Sequence, residues 1–418
     1  MLNICNRSDR KFFLKTKNDE ILNYLSAWRL IRIKYLEISL FAFVSVFFVS
    51  CYSNSAPGRR LFVVERQSGH LAVIDDESEI TARISLKGNL RHASMVFDPD
   101  LRYGYIVARD GIVSKIDLIN AKEVNTLKVS ENAIGIAISQ DGRYIAVASY
   151  QPGGVSIIAT EDFTLKKNIP AQYKGGISRV TGMVDGVGNA FIFSLMEAGE
   201  IWILKRDGEE YFIKHKIPTR AEKPFDAFIT PEGRYYVAGH FESDRASKVD
   251  LWYPQKGSEA LSLRPAKSGN APVKMAHMEA WAVAGDKIFV PVPGSLQISI
   301  LSRDNFQYLK SIQLEAEPVY AMVHPSEREL WVTVSGKDHD GLIYIYSTED
   351  YRLMHKIKAG KRIYHMSFSP KGNRAYVSSN ETNEFHIIQC SDYKIIKTIR
   401  LSSPSGIFGV WRAFQIGL

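Results

Sequence analysis

Cysteine is nearly missing from this chain of 418 residues, which has only Cys5, Cys51 and Cys390. None sits in a CxxC or CxxCH pair, which excludes a paired-cysteine zinc site and a covalently attached c-type haem. Cys390 ends the apolar stretch His386-Ile387-Ile388-Gln389-Cys390 and reads as an inert core thiol. GxSxG, HExxH, a P-loop and a dinucleotide-binding glycine motif are all absent, so no motif-borne hydrolase, metalloprotease or nucleotide chemistry is indicated. Strong helical periodicity is absent after residue 60. Charge of one sign is also scarce. The formal net charge is +8, but the first 50 residues hold eight Lys/Arg against four Asp/Glu, and the remainder carries only +4. With no Lys/Arg run and no stacking motif, nucleic acid is not an expected partner.

What the chain does have is a repeated β pattern. Residues 90–118 give its plan: an apolar strand (Ala93, Met95, Phe97), a turn Asp98-Pro99-Asp100, and alternation at Tyr103, Tyr105 and Val107. The loop Arg109-Asp110-Gly111 then leads to a strand ending at Leu118. Short runs broken by Pro/Gly/Asp clusters predict antiparallel strands. Similar turns recur at Gln140-Asp141-Gly142-Arg143, Pro231-Glu232-Gly233-Arg234, Pro325-Ser326-Glu327-Arg328 and Pro370-Lys371-Gly372-Asn373.

Inner strands are expected to start near His92, Ala133, Val180, Phe225, Glu279, Val319, Tyr364 and Gly406, at gaps of 40 to 54 residues. That spacing fits four-stranded propeller blades. The fold class is therefore all-β, an eight-bladed β-propeller over 61–418. Leu61-Phe62-Val63-Val64 already reads as a second strand, and the tail from Gly406 to Trp411 supplies the missing inner one. Pairing the N- and C-terminal strands in one blade closes the ring and hides its edges.

Residues 1–50 read as an export signal and 51–60 as a tether. Arg29, Arg32 and Lys34 precede an apolar run from Ile38 to Val49, which is too short for a comfortable membrane span. Phe48-Val49-Ser50-Cys51 resembles a bacterial lipobox, with Phe48 in place of the usual Leu. Acylation of Cys51 is expected, giving a periplasmic body that meets the membrane only through its lipid. An uncleaved anchor is the other reading. The 28 residues before Arg29 exceed what such a signal needs and suggest a start further downstream.

Propeller geometry puts the Pro/Asp/Gly turns on the bottom. Strand-one entries and strand-two-to-three loops lie on top, around the central funnel. The top collects Arg66, Arg91, His92, Arg109, Asp110, Tyr150, Gln151, Arg179, Asp226, His240, His277 and His365. His92, His277 and His365 each open an inner strand, where an imidazole can ligate iron or move protons. Capping a neighbouring carbonyl is the plainer alternative. Arg66, Arg91, Arg109 and Arg179 suit carboxylate recognition, unless Glu65, Asp110 or Asp226 occupies them. Asp110 and Asp226 are candidate general bases, and Asp-Gly is also a common turn. His324, before a proline in a bottom turn, reads as structural.

Several stretches resemble the NirF family of haem d1 biosynthesis proteins, relatives of the haem d1 domain of cytochrome cd1 nitrite reductase. They include Arg91-His92-Ala93-Ser94, Gly104-Tyr105 through Arg109-Asp110-Gly111, Gln151-Pro152-Gly153-Gly154-Val155, Ala198-Gly199-Glu200-Ile201-Trp202, and Pro404-Ser405-Gly406-Ile407-Phe408. The resemblance covers 60–418. It implies a tetrapyrrole with several carboxylates as ligand, namely haem d1 or an iron-containing precursor. His92 falls at the proximal iron-ligand position, so the resemblance makes it the axial metal ligand. His277 lies in a region like the distal histidine one, with Ala276-His277-Met278 replacing a Pro-His-Leu pattern. The relative NirN carries a cytochrome c domain, which the missing CxxCH excludes here.

The expected function is binding of a late haem d1 precursor, with a dehydrogenase-like conversion that would serve nitrite reductase maturation. His92, Asp110 and His277 would then be catalytic. Arg66, Arg91, Arg109, Arg179 and His365 would help hold the ligand. Cytochrome cd1 nitrite reductase and other maturation proteins are the expected protein partners. The rivals are a non-catalytic carrier, and an unrelated propeller such as a lactonase-like enzyme or an interaction scaffold.

Overall fold

The computed structural model describes residues 56–219, 223–264 and 282–415. Cys51, the export signal and His277 lie outside the described residues. Among those described, the strands form eight four-stranded antiparallel sheets and one two-stranded ribbon. Each four-stranded sheet is a blade, numbered here from the one holding Leu61. Blade 2 pairs Ser94–Phe97, Tyr103–Val107, Ile112–Asp117 and Lys122–Lys128 in that order. Inner strands of blades 3 to 8 are Asn132–Ile138, Val180–Gly186, Pro224–Ile229, Ala282–Ala284, Glu317–Val323 and Ile363–Phe368. The eight-bladed all-β expectation is met.

Blade 1 takes its inner strand from the other end of the chain. Pro404–Gly409 pairs antiparallel with Leu61–Glu65, setting Phe408 opposite Phe62 and Ile407 opposite Val63. Four strands from two chain ends thus share one ladder, and the ring has no open inner edge.

Burial in blade 2 is two-sided. Tyr105 and Val107 pack with Ala133, Ile136 and Val147 of blade 3. Ile106 turns the other way, onto Phe62, Leu71 and Phe408 of blade 1. The alternation predicted at Tyr103, Tyr105 and Val107 therefore sorts residues between two neighbouring blades, not between core and water. Each large apolar side chain so buried contributes about 1.5–3 kcal/mol. Outer strands are wetter, and in Leu353–Lys358 only Ile357 is buried.

The predicted bottom turns have a common chemistry. A polar side chain at the end of strand one accepts the backbone N–H that restarts the chain. Asp98 takes the N–H groups of Arg102 and Tyr103 at 2.8 and 3.0 Å. The hydroxyls of Ser139, Thr230 and Ser369 serve Tyr144, Tyr235 and Arg374 in the same way. His324 is structural, as expected: its Nε2 lies 2.6 Å from the Gly372 carbonyl of the next blade. The N-terminal approach also reaches the bottom, where the Arg60 guanidinium donates to the carbonyl oxygens of Leu118 and Ile119.

Candidate functional site: the histidine and arginines of the top face

The lead into the blade 2 inner strand, Asn89 to His92, is held by the Arg109–Asp110 loop of the same blade. Arg109 N–H donates to the Asn89 carbonyl at 2.9 Å. Asn89 N–H donates to Asp110 Oδ1 at 3.1 Å, and Asn89 Oδ1 accepts Arg91 N–H at 3.0 Å. Gly111 closes the loop at φ +77°, where an added Cβ would strike the Ser130 carbonyl. Asp110 is thus a clasp on the segment that presents His92.

His92 is open to solvent yet lies deep among protein atoms, as a side chain on a funnel wall does. Its pKa is held below the ordinary histidine value, first by burial and then by the positive charges of Arg109 and Arg66, while Asp226 pulls the other way. At neutral pH the imidazole is uncharged, the form that ligates iron or accepts a hydrogen bond. Blades 1, 2 and 5 all contribute charges to this one side chain.

Arg109 and Arg179 converge on Tyr150, their guanidinium carbons 5.1 and 5.5 Å from its ring centroid. Arg66 lies over Tyr364 at 4.7 Å. Among the described residues, none of Arg66, Arg91 and Arg109 forms an ion pair with a carboxylate. Glu65, a suspected partner, is taken by Arg83 at 3.0 Å. Arg179 is the exception. Its Nε meets Glu197 Oε1 at 2.5 Å, and its backbone N–H meets Oε2 at 2.7 Å. Burial pushes the Glu197 pKa up, but the Arg179 and Ser178 hydrogen bonds outweigh it and leave it below the usual range. The same pair lines a cleft of about 640 Å³ with Tyr173, Glu200 and Lys223.

His365 stands apart from this group. It accepts the Ile407 N–H through Nδ1 at 3.3 Å and packs against the rings of Tyr320 and Phe408. Burial, helped by Arg412, brings its pKa down to about 3. It is a neutral wall residue with Nδ1 committed. His240, placed by sequence in a top loop, ends strand Tyr235–His240 fully buried, with Nε2 2.9 Å from Ser247 Oγ. The strand runs further than its Ala-Gly-His sequence suggested. Among the described residues, no three His, Cys, Asp or Glu side chains converge as a metal site.

Residues 58–413 match the family model described as "Cytochrome D1 heme domain". This chain belongs to that family. It is 36% identical over 364 residues to Protein NirF of Pseudomonas aeruginosa, covering 85% of this chain and 92% of that one. Protein NirF of Stutzerimonas stutzeri is likewise 36% identical over 364 residues. Dihydro-heme d1 dehydrogenase of Pseudomonas aeruginosa is 26% identical, over 83% of this chain and 70% of that one. Within the family the chain is NirF-like. Among solved structures, dihydro-heme d1 dehydrogenase NirN in complex with DHE superposes with a TM-score of 0.77 at 23% identity, covering 86% and 77% of the two chains. Apo AztD from Citrobacter koseri gives 0.59 at 14% identity, over 83% and 96%, a likeness of fold alone. The family match excludes the rival reading of an unrelated propeller.

The sequence reading missed one participant and misjudged the role of another. Glu197 follows strand Ala190–Leu195 at the loop position that holds Arg66 and Arg109 in other blades, so aligning the blades would have exposed it. Tyr150 was visible on the top face, but not as the ring shared by two arginines.

Proposed function

We propose that this protein binds a late, iron-containing precursor of haem d1 in its central funnel. One observation carries the reading: an uncharged His92 stands beside Arg66 and Arg109, which have no carboxylate partner among the described residues. A tetrapyrrole with several carboxylates needs such a pairing of neutral donor and free guanidinium groups. Bound iron would supply Lewis-acid and redox chemistry; His92, as a neutral imidazole, would hold it, and Arg66, Arg91 and Arg109 would hold the carboxylates. The NirF relatives and the neighbour solved with DHE support the ligand class. His277 as a distal group, acylation of Cys51 and a periplasmic location belong to the same proposal. So does delivery to nitrite reductase or its maturation partners.

Conversion and carriage remain distinct roles for this site. Carriage is favoured at one point, because Asp110, the expected base, already accepts the Asn89 N–H. The test is an absorption titration of the purified protein and its His92→Ala variant with haem d1, followed by product analysis on a bound precursor. A shifted spectrum that the variant loses supports ligation by His92. Binding indifferent to the substitution removes the ligation role, and no binding removes the function. A chemically unchanged precursor assigns carriage.

A further inference from the structure

We propose that Tyr150 is the centre of a subsite for one carboxylate of the funnel ligand, with the Tyr150 hydroxyl and the Arg109 guanidinium as its donors. This inference rests on the tetrapyrrole-binding reading and adds where one acid group sits.

The observations come from three blades. Tyr150 belongs to strand Tyr144–Gln151 of blade 3, Arg109 to a loop of blade 2, and Arg179 to the entry of blade 4. Both guanidiniums lie over the one ring. The two arginines have different freedoms. Arg179 is fixed by Glu197, which grips its side chain and its backbone N–H together. Arg109 has its backbone N–H committed to Asn89, but its guanidinium meets no carboxylate among the described residues. The Tyr150 side chain is half-buried, and its hydroxyl has no hydrogen-bond partner among them. A half-buried phenol with no acceptor, beside an unpaired guanidinium fork, is a donor pair without its anion.

Charge points the same way. Among the described residues, the charged groups acting on His92 and Tyr150 are Arg66, Arg109 and Arg179 against Asp226 and Glu197. One ligand carboxylate balances the set. Burial first, and then Asp226, lifts the Tyr150 pKa to about 12, so the phenol keeps its proton and stays a donor over the physiological range.

The experiment compares haem d1 with free carboxylates and the same haem fully esterified. Both are titrated into the purified full-length protein, into Tyr150→Phe, which keeps the ring under the arginines, and into Arg109→Gln. Thermal melting confirms that the variants fold. Tyr150→Phe is expected to weaken the free-acid form by about tenfold, the worth of one hydrogen bond to a charged group. It should leave the ester within about twofold of the parent. Arg109→Gln should show the same selectivity. Equal losses for acid and ester, or no loss for the acid, would overturn the subsite while leaving tetrapyrrole binding intact. A parent that binds neither form would refute the function itself, and the subsite with it.

Discussion

At the scale of single residues, the chemistry proposed for the funnel turns on keeping one histidine uncharged. His92 is open to solvent on one side but surrounded by protein atoms, unlike an isolated imidazole, which would titrate near its ordinary value. Burial and then Arg109 and Arg66 hold it lower, against Asp226. Removing a positive neighbour must raise that pKa. Arg109→Gln is therefore expected to move the His92 titration upward, towards the ordinary value, in an NMR pH series on the ligand-free protein. A midpoint that stays put or falls would show that Arg109 does not set the charge of His92. The sign extends to stability. A native imidazole that binds its proton less tightly than the unfolded one costs stability as pH falls below the ordinary histidine value. Arg109→Gln should soften that fall. Cys390 illustrates the opposite kind of residue: buried, with its thiol pushed up to about 12 by burial, it has no thiolate at neutral pH and is inert.

Among the elements, the instructive unit is the clasp between the Arg109–Asp110 loop and the Asn89–His92 lead. Sequence reading offered Asp110 as a base or a turn residue, and its carboxylate oxygen accepts a backbone N–H. The two roles predict different variants. Asp110→Asn keeps an acceptor oxygen and loses the basic charge, while Asp110→Ala loses both. As a clasp, Asp110→Asn should retain the haem spectrum and affinity of the parent. Asp110→Ala should broaden or shift the spectrum and destabilise the fold by about 1 kcal/mol, the net value of a hydrogen bond. If Asp110→Asn abolishes conversion of a bound precursor while its binding spectrum is unchanged, Asp110 is the base. Absorption spectra, product analysis and urea melts on the three proteins decide it. The bottom turns needed no such arbitration. Their Asp, Ser and Thr caps are local in sequence, four or five residues from the N–H they serve, so the turns, though not the individual caps, were readable from the start.

For the whole molecule, the decisive contact is the one between the chain ends. Val63 and Ile407 are fully buried opposite each other, and Phe62 faces Phe408. Deleting residues 404–418 would strip the inner strand from blade 1 and expose both the Leu61–Glu65 edge and the flank of blade 8. The expected result is loss of the cooperative thermal transition and concentration-dependent aggregation, followed by circular dichroism and light scattering. A truncated chain that melts like the parent would mean that seven complete blades suffice.

Sequence alone determined the repeat, the number of blades, the turn positions and the closure at the ends. The turns depend on contacts within about ten residues; the blade count and the closure follow from one recurring spacing and the strand it leaves missing at the N-terminus. It also placed His92 and the arginines on one face, because strand direction fixes which loops share an end. Only the tertiary structure decided which charges meet. Arg66, Arg109, Tyr150, Arg179 and Asp226 come from blades 1 to 5, and no local pattern says that Arg109 and Arg179 share the Tyr150 ring. Likewise, alternation along a strand could not tell water from a neighbouring blade, since both flanks of a blade are dry. The physical reason is common to both. A propeller brings together loops some forty or more residues apart, and the pairing of their side chains depends on distances across the ring, which the periodicity of any one strand does not carry.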